Sequence, residues 1–155
     1  MVLVALWHLA ISSISAASAD SSALSGPRWG WPTDSPTSVT RAFDPPAQPW
    51  LAGHRGVDLR LDVGAAVVSP VDGTVIYAGM LVNRHVVSVE HGNFRSSVEP
   101  VNPTVVVGQQ VTRGQIIGYL EPSNAHDGLH WGVRLNRVYV DPLTLVVGPV
   151  VLKPI

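Results

Sequence analysis

With 155 residues, 46% of them apolar, the chain has enough material for one packed domain. Charged residues make up 14% and the formal net charge is −1, so there is no basic surplus to neutralise phosphates, and nucleic acid is not expected as a partner. Cysteine is absent, which excludes thiolate metal sites, disulfide frameworks and cysteine nucleophiles.

The first twenty residues read MVLVALWHLAISSISAASAD. An apolar stretch gives way to small residues and to Ala17-Ser18-Ala19 before Asp20, the pattern of a secretory signal peptide over residues 1–19. An uncleaved membrane anchor is the alternative, although His8 and several serines interrupt the apolar run and leave it short for a span. Residues 20–49 are rich in Ser and Pro and predict an extended lead-in with little regular structure. Trp29, Trp31 and Trp50 lie in or beside it. They either pack this arm onto the domain or stack on sugars.

From residue 50 to 147 the pattern changes to short β-rich runs broken by Gly, Pro and Asn, as in GTVIYAG, RHVVSVEHG and TVVVGQQVTRGQIIGYL. With 14 glycines and 13 prolines, and no sustained helical period, the expected class is all-β, a compact antiparallel β-sandwich or barrel. His91-Gly92-Asn93 reads as a turn, and His85, opening a strand, as structural. The apolar LTLVVGPVVL is too short to cross a bilayer and reads as a last strand running into a tail over residues 148–155.

The segment GHRGVD places His54 and Asp58 four residues apart. On a regular strand their α-carbons would stand ~13 Å apart at ~3.3 Å per residue. That is too far for both to hold one ion at ~2 Å. Gly53 and Gly56 argue against a helix and permit a curled loop running into VDLRL. His54 and Asp58 can then converge, with His130 of LHWGVR arriving from a distant strand. Two histidines and one carboxylate suit zinc with a fourth position open to water. The spacing alone leaves other readings open: a surface histidine near a solvated aspartate, Asp58 as a hydrogen-bond partner of His54, or His130 buried and donating to a carbonyl. Trp131, as the strand neighbour of His130, should face the core.

These segments together resemble the lysostaphin-type zinc endopeptidases. GHRGVDLRLDVGAAVVSPVDGTVIYAG is similar to the family's His-x-x-x-Asp motif and the strand–turn–strand after it. VVVGQQVTRGQIIGYL resembles its later hairpin, and LHWGVR its closing H-L-H-F-E-V-R. The similarity runs from about Trp29 to Leu145. It implies a β core of the duplicated hybrid type and one Zn²⁺ held by His54, Asp58 and His130. It also implies a zinc-bound water that attacks peptide cross-links of peptidoglycan; with the signal-peptide pattern, a secreted, cell-wall-associated protein is expected, as a monomer.

Two positions depart from the family pattern. Its active members carry a histidine two residues before the last ligand, where this chain has Gly128, and another in a Y-A-H stretch, where it has Pro100. Neither residue can relay a proton. His126, in the SNAHDG loop, and Glu99, beside Pro100, are the candidate replacements. Each is otherwise a solvated loop residue. Because neighbours on a strand face opposite ways, Glu99 is expected to need a bulge to help. Two readings follow: a zinc endopeptidase with altered catalytic groups, or a non-catalytic member of the fold that binds the wall or regulates a cell-wall hydrolase. A lipoyl or biotinyl carrier, whose hairpin is also similar, needs an exposed lysine at a hairpin tip, and the single lysine is Lys153.

Overall fold

Valine-rich runs favour pleated strands, and the glycines and prolines between them keep those strands short. In the computed structural model, which describes residues 29–146, eleven strands result. They are β1 (Val39–Arg41), β2 (Val57–Leu59), β3 (Ala66–Val68), β4 (Gly73–Leu81), β5 (Arg84–His91) and β6 (Phe94–Glu99). The chain continues through β7 (Val101–Pro103), β8 (Gln110–Val111), β9 (Ile116–Leu120), β10 (Leu129–Leu135) and β11 (Val138–Val140) to a single helical turn, α1 (Leu143–Val146). The start of LTLVVGPVVL is thus helical where a strand was expected. Residues 1–28 and 147–155, which carry the expected signal peptide and apolar tail, lie outside the described residues.

All pairings are antiparallel. The larger sheet runs β1-β2-β10-β6-β5-β4-β8, with β11 also paired to β10, and the smaller runs β3-β9-β7. Of the two expected forms, the open two-sheet arrangement is the one found, and no barrel closes. The core between the sheets takes Val67, Ile117, Leu120 and Val101 from the smaller sheet. The inward face of the larger contributes Val57, Leu59, Val75, Val87, Val98, Leu129 and Trp131. Burying one face of the larger sheet leaves its other face free for polar residues.

The lead-in joins this fold more closely than its composition suggests. Trp29 enters the core and meets Phe94 edge-on with ring centroids 5.5 Å apart. Strand β1 pairs with β2, and the backbones of Asp44 and His54 exchange hydrogen bonds of 2.9 and 2.7 Å. Trp50 behaves differently: it is 78% exposed, on a loop whose carbonyls at Pro49 and Leu51 accept hydrogen bonds from Arg55 Nη2. Gly92 and Asn93 form the turn between β5 and β6 as expected, and His91 Nδ1, at the end of β5, donates to Asp72 O at 2.6 Å.

Trp131 anchors the core beneath the site, fully buried and donating from Nε1 to Ser96 Oγ at 2.9 Å. Trp131→Ala should therefore cost about 3–5 kcal/mol, since it opens a cavity where no neighbour can fully collapse. Urea unfolding should show this as a lower midpoint with an unchanged slope.

Candidate metal centre

Three adjacent strands carry the site in a single cross-strand row. Asp58 on β2 lies directly opposite His130 on β10, and His130 lies directly opposite Glu99 on β6. Residues opposed across antiparallel strands present their side chains to the same face, so all three project from the open face of the larger sheet. Trp131 projects from the other, as expected. Glu99 reaches the row without any bulge: the β6–β10 register is regular, and the buried Pro100 follows the strand's end. The expectation that Glu99 requires a register shift is thereby corrected.

His54 arrives from the loop before β2. Its Nε2 is 3.0 Å from Asp58 Oδ1 and 3.2 Å from His130 Nδ1, and His130 Nδ1 is 2.7 Å from Asp58 Oδ1. Three ligands of a tetrahedral ion held at about 2.0–2.1 Å stand roughly 3.3–3.4 Å from one another, so this triangle is close to the size a zinc ion needs. The donor chemistry agrees. His54 Nδ1 donates to Ala42 O at 2.7 Å, which commits the ring's proton to that side. Its Nε2 then faces a carboxylate oxygen and a second imidazole, an arrangement that a cation among them stabilises. Gly56 makes room for it: a Cβ there would stand 2.3 Å from Trp131 O and 2.8 Å from the His130 ring.

His126 completes a group of four whose ligand atoms all lie within 4.8 Å of one another. Its Nδ1 is 3.0 and 3.2 Å from the two oxygens of Asp58, and its Nε2 is 3.4 Å from Glu99 Oε1. The ring lies over His130 with centroids 4.4 Å apart. The loop that carries it is built rather than slack. Ser123 Oγ accepts from the backbone N–H groups of Ala125 and His126, and the Thr40 hydroxyl donates to Asp127 O at 2.8 Å. Gly128 sets the loop's exit. Its φ is +99°, and a Cβ there would stand 2.1 Å from Leu59 O, so no side chain fits at that position. The imidazole of His126, two residues earlier, is the one that stands over the Asp58 carboxylate.

Burial alone would raise the Asp58 carboxyl, but hydrogen bonds from His126 and His130 outweigh it and hold the group well below the usual carboxylate range. Glu99 follows the same logic, lowered despite burial by His126 and by Arg84, whose Nε donates to Glu99 Oε2 at 2.9 Å. Hydrogen bonds to Asp58 and then Glu99 push His126 up to about 9, against the opposing effect of its burial. His85, at the start of β5, pairs with Glu121 at 2.8 Å, and neither it nor His91 belongs to the group of four.

The sequence profile of Peptidase family M23 matches residues 52–142. An uncharacterized protein of Mycobacterium tuberculosis strain H37Rv, Rv2891, is 40% identical over 164 residues, covering 99% of this chain and 63% of that protein. The murein hydrolase activator NlpD of Salmonella typhimurium is 29% identical over 120 residues, covering 74% of this chain and 30% of NlpD. The chain thus spans less than two thirds of the length of these curated relatives. Among solved structures, the catalytic domain of lysostaphin from Staphylococcus simulans superposes with a TM-score of 0.61 over 71% of this chain and 92% of that one. At 21% identity that likeness is one of fold.

Two outcomes are expected of the site itself. Gly128→Ala should destabilise by about 1–3 kcal/mol from backbone strain alone. The collision with Leu59 O should add to this, and Gly128→His should gain no metal affinity; thermal unfolding and zinc titration measure both. For the metal-stripped protein, His126 rises from 6.5 to about 9 on folding, so its stabilisation is complete below about 6.5 and is lost as pH climbs through about 9. The melting-temperature gap between wild type and His126→Gln should narrow across that window.

Proposed function

The chain belongs to peptidase family M23, and on that footing we propose that it is an extracytoplasmic zinc endopeptidase that hydrolyses peptide cross-links of bacterial peptidoglycan. The observation that carries this reading is the convergence of His54, Asp58, His126 and His130 at ligand distances from one another. His54, Asp58 and His130 are assigned as the residues that hold the ion. When bound, zinc lowers the pKa of a water and polarises the scissile carbonyl. The chain's own groups do the rest. The Nδ1–H of His54 on Ala42 O fixes the ring with Nε2 turned inward.

His126 and Glu99 take over proton handling in place of the histidines that the family carries at the positions of Gly128 and Pro100. The pair has the required parts: an imidazole Nε2 beside a carboxylate oxygen at 3.4 Å, with Arg84 keeping the carboxylate ionised. Glu99 Oε1 accepts a proton, and His126 Nε2 returns it toward the departing amide nitrogen.

A second reading is favoured by the relative named a murein hydrolase activator. Under it the chain binds zinc and the wall, or a wall hydrolase, without cleaving. Purified protein incubated with peptidoglycan of several chemotypes separates the two. The first reading expects about one zinc per chain and soluble peptide fragments, with a fall in kcat of about 10²–10⁴-fold in His126→Ala or Glu99→Gln at retained zinc content. Replacing both should cost less than the product of the two losses, because they act as a unit. Asp58→Ala should lose zinc and cleavage together. Full zinc occupancy with no fragments from any chemotype would establish the second reading instead.

A further inference from the structure

Beyond the row of ligands, the open face of the larger sheet forms a groove of about 640 Å³. Its lining is basic although the chain is not. Arg41, Arg55, Arg84, Arg95 and Arg134 border it, five of the ten Lys and Arg residues in a chain of net charge −1. Two of these are placed against ordinary sheet design. Arg134 on β10 lies directly opposite Arg95 on β6, and like charges in that position repel. Arg95 leans away to Glu90 on β5, a partly exposed pair at 3.7 Å. Arg134 has no carboxylate partner among the described residues. Its guanidinium sits 5.7 Å from the Tyr139 ring centroid, which orients the group and leaves its donors open to the groove. Ser97 and Ser88, in the cross-strand row between the arginines and His130, line the floor with their hydroxyls 2.7 Å apart.

We propose that Arg134, with Arg95 opposite, is a receptor for a free carboxylate on the peptide that the groove accepts, and so sets its specificity. This rests on the peptidase reading, and it adds which peptide is taken. With Arg95 turned to Glu90, Arg134 is the guanidinium that still lacks a counter-charge, and a guanidinium binds a carboxylate through two parallel N–H···O bonds. The spacing is defined. Arg134 is four residues from His130 on one strand face, ~13 Å at ~3.3 Å per residue. An extended peptide laid along β10 with its scissile bond at the ligand row therefore brings a carboxylate about four residues away onto Arg134. A peptide without a carboxylate at that distance would leave Arg134 without a counter-charge.

The test uses the full zinc-loaded chain and two synthetic wall peptides, identical except that one carries free carboxyl groups and the other has them amidated. Fluorescence anisotropy reads binding, and mass spectrometry reads cleavage. The free acid should bind about 10-fold or more tighter than the amide, the range of a hydrogen bond to a charged group. Arg134→Gln should bring binding of the free acid down to the level of the amide. Raised salt should weaken the acid selectively. Lys in place of Arg134 should restore part of the preference, which a packing defect would not. Equal binding of acid and amide by the wild type, or a preference that survives Arg134→Gln, overturns the proposal. Cleavage is scored separately. A chain that discriminates but cleaves neither peptide keeps the receptor and loses the peptidase reading. One that cleaves both equally well after binding them equally keeps the peptidase reading and loses the receptor.

Discussion

The site is organised around one buried negative charge. Asp58 is 2% exposed, in the middle of a strand bonded on both sides, and an isolated carboxylate in such a place is very costly. What makes it tolerable is the ring of nitrogen atoms gathered on it: His54, His126 and His130, each within 3.0 Å of the same oxygen. The carboxylate fixes the histidines, and the histidines make the carboxylate admissible. Removing either side leaves a buried group without its partner, the situation in which such assemblies lose most. The loop before β2, the loop before β10 and the centre of the sheet are all held to this one atom.

Around that charge the protein separates two tasks by face. The inward side of β10 supplies Trp131, which holds the sheets together, while the outward side supplies His130, Gly132 and Arg134 to the groove. The period of two along the strand makes this division strict. Glu99 and Arg84 form a further ion pair beside the cluster, and through His126 they connect it to the groove. An acid–base pair next to the ligand atoms and a basic floor beyond them belong to one continuous surface. The ligand-type side chains and the arginines therefore face the same side of one strand.

Much of this was legible in the residues. GHRGVDL and LHWGVR, through their resemblance to a known family, pointed to the side chains that the fold brings together at 54, 58 and 130, and the turn glycines and valine runs announced an antiparallel β fold. What was not legible depended on contacts between distant segments. That Glu99 stands opposite His130 follows from the β6–β10 register, which no local pattern within FRSSVEP specifies. That His126 folds back over Asp58 follows from the positive φ of Gly128 and the nearness of Leu59 O. Read along the chain, that glycine is a missing histidine. In space it is the corner that lets another histidine arrive. The arm was also underestimated, since Trp29 in the core and β1 beside β2 are gains of long-range pairing in a segment whose composition suggests none.

The position of β10 carries a last consequence. One edge of it is bonded along nearly its whole length by β6, while the other is shared end to end between β2 and β11. A strand enclosed in this way has no edge from which to fray, so its amides open only when the whole sheet does. His130 is thus carried, with Asp58 and Glu99, on strands paired to one another, whereas His54 and His126 reach the same carboxylate from loops held by their own hydrogen bonds.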